Sequence, residues 1–282
     1  MNFDEWPARI GIRPGATVML MADVKRMAWR CAREGQRFDP MDLLDAFLKA
    51  VGPSGTLLVP TFTFHLENGD AFDMRTTGTI SGTVGNAALV HPSFQRTPHP
   101  LHSFAVVGKD AERLVHSSER DSFGPESPFA YLYSQKGVLV NLDLSVNHGI
   151  TFAHYVEQQL AVPYRKLKWF RFSYTDRNGS TRNERYALHT KKPGHHMNFS
   201  PLDREFEQAG VLLRGVVEGS DWIRIDLHGA YPVIAANLKK GGPDCVHRFR
   251  WSWWLRDHVK SVVHAITGRT NKPLNDVVGQ AG

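Results

Sequence analysis

DPMDLLDAFLKAVGPSGTLLVP, residues 39–60, decides the fold class. Leu43, Leu44, Phe47, Leu48 and Val51 recur on one face at helical spacing. Asp39 is a good N-cap, Pro40 suits the first helical position and Gly52-Pro53 stops the helix. TLLVP, residues 56–60, follows at once as a short apolar run that fits a buried strand. Upstream, TVMLMA (17–22) after the turn RPGA has the same character. Strand, connector, helix, strand is an α/β pattern.

The rest of the chain sharpens that frame. Its 282 residues suffice for a sizeable core, and 41% hydrophobic against 22% charged residues describes a globular protein, not a disordered one. No run of about 18 apolar residues occurs, so no integral membrane segment is expected. MNFDEWPARIGIRPG carries acids early and lacks an apolar stretch, so no secretory signal is expected. Cys31 and Cys245 are too few for a disulfide framework, which fits a reduced, cytoplasmic setting. The net charge of +6 favours anionic partners, although the basic residues are spread along the chain.

Residues 60–100 hold many Thr, Gly, Asn and Pro with little periodicity, and read as a long irregular, functional stretch. SFAVVG (103–108) reads as a strand, KDAERLVHS (109–117) as a short helix, and FGPESPFAYLY (123–133) as a loop into a helical turn. VLVNLDL (138–144) reads as a buried strand running directly into a helix over NHGITFAHYVEQQL (147–160), with Thr151 as its N-cap. KWFRFSYTDRNGSTRNERYALHT alternates aromatic and polar residues around Asn178-Gly179, as a β-hairpin does. From Pro201 onward the pattern suggests a helix, a strand and another helix. In the tail, Leu255, Val259, Val262, Val263 and Ile266 form one stripe with Gly268 as a cap. The expectation is a terminal helix packed on its own domain, with RFRWSWW supplying core tryptophans in place of a base-stacking, nucleic-acid-binding surface.

Three clusters have chemical potential: TFTFHLENGDAFDMRTTGTISG with Asp73, RTPHPLHSF with His99, His102 and Ser103, and His154 with Glu157. Pro100 prevents a helical pairing of His99 with His102, and no single segment supplies three metal ligands, so no metal is expected. No G-x-S-x-G elbow is present for a nucleophilic serine. His154 and Glu157, three apart, share one helix face; such a pair suits a general base oriented by a carboxylate, but spacing alone favours a solvated pair on an ordinary helix.

The chain resembles the aminoglycoside 3-N-acetyltransferase (antibiotic acetyltransferase) family from about residue 10 to 165, and thinly beyond. GIRPGATVML, LLDAFLKAVGPSGTLLVPTFT, AFDMRTT, RTPHPLHSFAVVGKDAERLVH, FGPESPFAYLY, the Thr151-x-x-His154-x-x-Glu157 segment and VPYR (162–165) carry the resemblance in order. It implies an α/β fold distinct from the GNAT fold: a central mixed β-sheet flanked by helices, with a β-hairpin and α+β elaboration toward the C-terminus. One acetyltransferase-like domain over 1–282 is expected, with the CoA and catalytic segments in 1–165 and an acceptor-side elaboration and C-terminal helix in 166–282.

The implied chemistry is N-acylation, with acetyl-CoA or another acyl-CoA as donor and a small amine acceptor, by a monomer or homodimer. The resemblance makes His154 the base and Glu157 its orienting acid. It places Asp73, Thr77, His99, His102, Ser103 and Thr151 at the acceptor, and Asp23, Lys25, Arg26, Thr61 and Thr63 at the donor. Where the family usually has a His-Ser-Ser-Leu-like motif, this chain has Met21-Ala22-Asp23-Val24. The net positive charge, dense at Arg182, Arg185, Lys191, Lys192, His195 and His196, favours an amino sugar carrying phosphate or nucleotide over a polycationic aminoglycoside. The competing expectations are a non-catalytic relative that binds an anionic partner, and a metal-dependent hydrolase built on His99, His102 and His154.

Overall fold

The computed structural model describes residues 2–240 and 244–267, with side chains described to residue 259. Helix α1 (Trp6–Arg9) leads into strand β1 (Thr17–Ala22), then α2 (Lys25–Arg33), α3 (Pro40–Val51) and β2 (Thr56–Pro60). Asp39 caps α3 by accepting from Met41 N at 2.9 Å, and Gly52 ends it at φ 63°, as the sequence predicts. The connector after β1 is more ordered than expected. Met27 and Cys31, four apart, give α2 its one buried edge.

The stretch 60–100 is not wholly irregular. It holds β3 (Ala71–Asp73), α4 (Gly82–Val90) and β4 (Gln95–Arg96). Helix α4, GTVGNAALV, is built of small residues and so lacks an apolar stripe. Their smallness is the point: a Cβ on Gly85 would stand 2.8 Å from Pro60 O, so the helix lies close against the end of β2.

Next come β5 (Phe104–Gly108), α5 (Ala111–Val115), α6 (Pro128–Ser134), β6 (Val138–Leu142), α7 (Val146–Gly149) and α8 (Phe152–Gln159). The hairpin around Asn178-Gly179 is β7 (Arg165–Thr175) with β8 (Thr181–Lys191). After β9 (His195–Met197) and α9 (Pro201–Gln208) the sequence suggested one strand, but two form: β10 (Leu212–Val217) and β11 (Ser220–Asp226). Glu218 and Gly219, at φ 44° and 77°, make the two-residue turn between them. Helix α10 (Leu227–Lys239), β12 (His247–Phe249) and α11 (Trp251–Thr267) complete the order.

Seven strands form a mixed sheet in the order β10-β11-β6-β1-β2-β5-β4. Its centre, β6-β1-β2, is parallel; β11 and β5 flank it antiparallel. Side chains alternate between faces, as a strand requires. Val18, Leu20, Leu57 and Val59 meet α1, α3 and α4, while Met19, Leu58 and Leu139 meet α6, α8, α9 and α10. The sheet therefore separates two apolar cores. A smaller sheet, β3-β7-β8, carries a third core around Phe72, Phe172 and Tyr186.

The tail departs from expectation. Trp251 is 72% exposed, Trp254 36% and Leu255 60%, so these are not core residues, and the described part of α11 shows its stripe to solvent. The side chains of Val262, Val263 and Ile266, and Gly268, lie outside the described residues. Cys31 and Cys245 are both buried free thiols. Among the described residues no helix is long and apolar enough to cross a membrane.

Candidate active site

The chain leaves the carboxyl end of β6, turns through α7 and enters α8, so α7 intervenes where the sequence suggested direct entry. Gly149 makes this possible: a Cβ there would lie 2.2 Å from Asn141 Nδ2 of β6. Thr151 occupies the N-cap position but has helical dihedrals (φ −55°, ψ −26°) and no capping side-chain bond. Its carbonyl instead accepts from His154 N at 3.0 Å.

His154 projects from the first turns of α8, its side chain 19% exposed, with Phe199 edge-on at 5.4 Å. Nδ1 lies 2.6 Å from Glu157 Oε2 and 2.8 Å from Arg165 Nη2. Nδ1 can donate to the carboxylate or accept from the guanidinium, but not both. The shorter contact is to the charged acceptor, which favours Nδ1–H toward Glu157 and leaves the Nε2 lone pair for a substrate proton. Glu157 is fully buried and Arg165 nearly so. Arg165 Nε stands 2.6 Å from Glu157 Oε2 without hydrogen-bond alignment, and Nη1 donates to His189 O at 2.9 Å. Tyr164 OH donates to Glu157 Oε1 at 2.9 Å.

Burial pushes His154 below the ordinary imidazole value. Arg165 pushes the same way, while Glu157 opposes both. Burial raises Glu157, but the contacts from His154, Arg165 and Tyr164 outweigh it and hold the acid below its ordinary value. The result is a neutral imidazole beside an ionised carboxylate, the protonation states a base needs. The sequence marked the histidine and the acid; Tyr164 and Arg165 went unassigned. Their signal was the VPYR stretch directly after the helix stop.

The other candidate residues fall into four places. His102 and His154 flank one ring: Phe123 lies 4.9 Å from His102 and 6.3 Å from His154, centroid to centroid. Yet His102 is buried, with Nδ1 2.8 Å from Ser122 Oγ, and burial followed by repulsion from His99 drives it far below the ordinary value. His99 is held down to about 4 by burial. Its Nδ1 accepts from Leu101 N and His102 N, and its Nε2 lies 3.2 Å from both Ala187 O and Ser122 Oγ.

Thr61, Thr63 and Ser103 are buried together. Ser103 Oγ donates to Thr61 O at 2.7 Å and accepts from Arg96 Nε at 3.0 Å, and Thr63 Oγ1 donates to Pro100 O. Their side chains knit the loops to one another. Asp73 and Thr77 lie elsewhere. Asp73 pairs in register with Thr175, whereas Arg165 starts the same eleven-residue strand, so roughly 30 Å of extended chain separates Asp73 from the His154 end. Asp73 is also chelated by Arg75, at 3.0 and 2.8 Å, and its N–H donates to Thr77 Oγ1.

The fourth place is the end of β1. Asp23 accepts from Lys25 N at 3.1 Å and pairs loosely, at 3.6 Å, with the exposed Lys25 ammonium. Arg26 is committed to Asp221 at 2.7 Å and Asp143 at 3.1 Å, which leaves Lys25 as the more available cation for a phosphate. Among the described residues no group of three or more His, Cys, Asp or Glu is placed to hold a metal.

Comparison with known proteins places the chain in a family. The chain is 28% identical over 159 residues to aminoglycoside N(3)-acetyltransferase IV of Salmonella sp., a match covering 55% of this chain and 57% of that protein. The chain thus spans little more than half the length of that curated relative. The solved structure of AAC-VIa bound to sisomicin superposes with a TM-score of 0.70 at 20% identity, over 84% of this chain and 96% of that one. The binary complex of AAC-IIIb with CoASH superposes at 0.68 and 19% identity, over 86% and 97%. These likenesses establish the fold. The family model for aminoglycoside 3-N-acetyltransferases matches residues 19–239, and the chain belongs to that family.

Proposed function

We propose that the protein transfers an acetyl or other short acyl group from acyl-CoA to an amino group of an aminoglycoside or amino sugar, with His154 as general base. The observation that carries this reading is the His154 imidazole, partly open to solvent and backed at Nδ1 by the buried Glu157–Arg165–Tyr164 cluster. Family membership and two structural neighbours, one holding CoASH and one holding sisomicin, support the substrate classes.

An ammonium has no lone pair, so the acceptor must lose a proton before or during attack. That first proton is shed to solvent, and His154 Nε2 takes the second N–H proton, which the nitrogen releases as it bonds to the carbonyl carbon. The amine nitrogen attacks the thioester carbonyl, a C–N bond forms and the C–S bond breaks. The departing thiolate recovers the proton from the imidazolium, giving an amide and free CoA thiol. Glu157 stabilises the imidazolium that forms between these steps, and Tyr164 and Arg165 keep the carboxylate ionised and fixed. At the donor, Lys25 offers an exposed cation where the family's serines are absent.

The test is thiol release from acetyl-CoA, followed with a thiol reagent, across a panel of aminoglycosides, amino sugars and nucleotide-linked amino sugars. Amine-dependent release is expected with at least one class. No release with any of them contradicts acyl transfer.

A further inference from the structure

The exposed tryptophans of the tail border a cleft. Lys166 at the start of β7, Lys192 after β8, His195 on β9, Phe249 on β12, and Trp251 and Trp254 on α11 line a space of about 400 Å3, within the size range of small-molecule sites. The cleft is built, not incidental. Gly194, at φ 82°, lets its walls meet, since a Cβ there would lie 2.6 Å from the Phe249 ring and 2.7 Å from Trp254 Cβ. Gly194 N donates to Asp257 at 3.0 Å and Gly194 O accepts from Arg250 N at 3.0 Å, which fixes the start of α11 on this turn.

The lining combines cations with flat aromatic faces. Lys166 and Lys192 bring two cations to the lining, Lys192 Nζ also donating to Pro163 O at 2.5 Å, and burial, then Lys192 and Lys191, lower His195 below its ordinary value. Asp257, the acid beside it, is occupied by Gly194 N and by Arg256 at 3.2 Å. The cleft also shares a wall with the catalytic cluster. His195 Nδ1 lies 2.5 Å from His247 Nε2, His247 stacks on Tyr164 at 3.7 Å, and Tyr164 donates to Glu157. The family match ends at residue 239, so Phe249, Trp251 and Trp254 lie beyond it.

We propose that this cleft binds a nucleoside diphosphate group, with the base stacked on the Trp254 indole, whose other face His258 covers at 3.8 Å, and set against the edge-on Trp251, and with the phosphates held by Lys166 and Lys192. Two molecules present that chemistry: the donor CoA, through its phosphorylated adenosine end, and an acceptor amino sugar activated by a nucleotide. The inference goes beyond the acyl-transfer reading, and its test reads binding without turnover, so either can fail alone.

The experiment titrates the full chain with CoA and, separately, with UDP, by calorimetry and by quenching of tryptophan fluorescence. Saturable binding of at least one is expected, weakening as salt rises. Trp254→Ala should weaken it about ten- to a hundred-fold, the usual consequence of losing a base–aromatic stack, while Trp254→Phe retains most of it. Lys166→Gln and Lys192→Gln should each weaken it and flatten the salt dependence. CoA bound in a Trp254-dependent way assigns the cleft to the donor, and UDP bound so assigns it to the acceptor. Binding of neither, or affinities unchanged in Trp254→Ala and Lys166→Gln, overturns the proposal.

Discussion

Two histidines pack against the same phenylalanine and have different surroundings. His102 meets Phe123 from RTPHPLHSF, where its partners are a serine hydroxyl and the rings of Phe62 and Phe64. His154 meets it from α8, where its partners are a buried carboxylate and a guanidinium. Both imidazoles are held neutral. For His102 burial does this, aided by repulsion from His99, His154 and Arg165 and opposed by no carboxylate, which makes it a polar part of a core. For His154 a carboxylate is ready to receive the charge when a proton arrives. In the proposed mechanism, what separates the packing histidine from the base is therefore an ion pair, not exposure alone.

Breaking each side separately measures that difference. His154→Ala should lower kcat by roughly 10²–10⁴, the usual worth of a positioned base, with little change in melting temperature. Thiol-release kinetics and a thermal melt read the two together. A smaller loss in kcat would make His154 a positioning residue. Glu157→Gln breaks a fully buried pair and leaves Arg165 uncompensated, which should cost about 3–5 kcal/mol of stability in urea unfolding, and activity with it. His102→Leu removes one neutral hydrogen bond and should cost about 1–3 kcal/mol while leaving kcat within a few-fold of the parent. If His102→Leu instead abolished turnover with stability intact, the two histidines would not differ as described.

The same contrast explains what the sequence revealed. Helix α3 and strand β2 were legible because cap, stripe and stop all agreed within one stretch, and the β7–β8 hairpin because alternation flanked Asn178-Gly179. Helix α4 was hidden because its fit depends on small residues, which leave no periodic signature. The β10–β11 turn was hidden because Glu218 adopts a positive φ that its residue type does not advertise. At the site, His154 and Glu157 shared a helix face by their spacing, but only the family resemblance of the Thr151-x-x-His154-x-x-Glu157 segment singled them out as base and acid. Arg165 lies beyond the helix stop, and only the folded chain returns it to Nδ1. The tail stripe was legible as a helix, but periodicity does not say whether a partner covers it, and Trp251 and Trp254 proved open.

The most direct test of the central claim is the titration of the His154 ring nitrogens by NMR in the parent protein and in Arg165→Gln, with Arg165→Lys as the charge-retaining control. Burial and Arg165 both lower this group, so the parent imidazole should titrate below the ordinary value of about 6.5. Removing the guanidinium removes one of those influences and leaves Glu157 opposing burial, so Arg165→Gln should titrate higher than the parent, and Arg165→Lys closer to it. A parent His154 that titrates at or above the ordinary value, or one that Arg165→Gln leaves unmoved, would contradict the account of His154 as a neutral base poised by its buried ion pair.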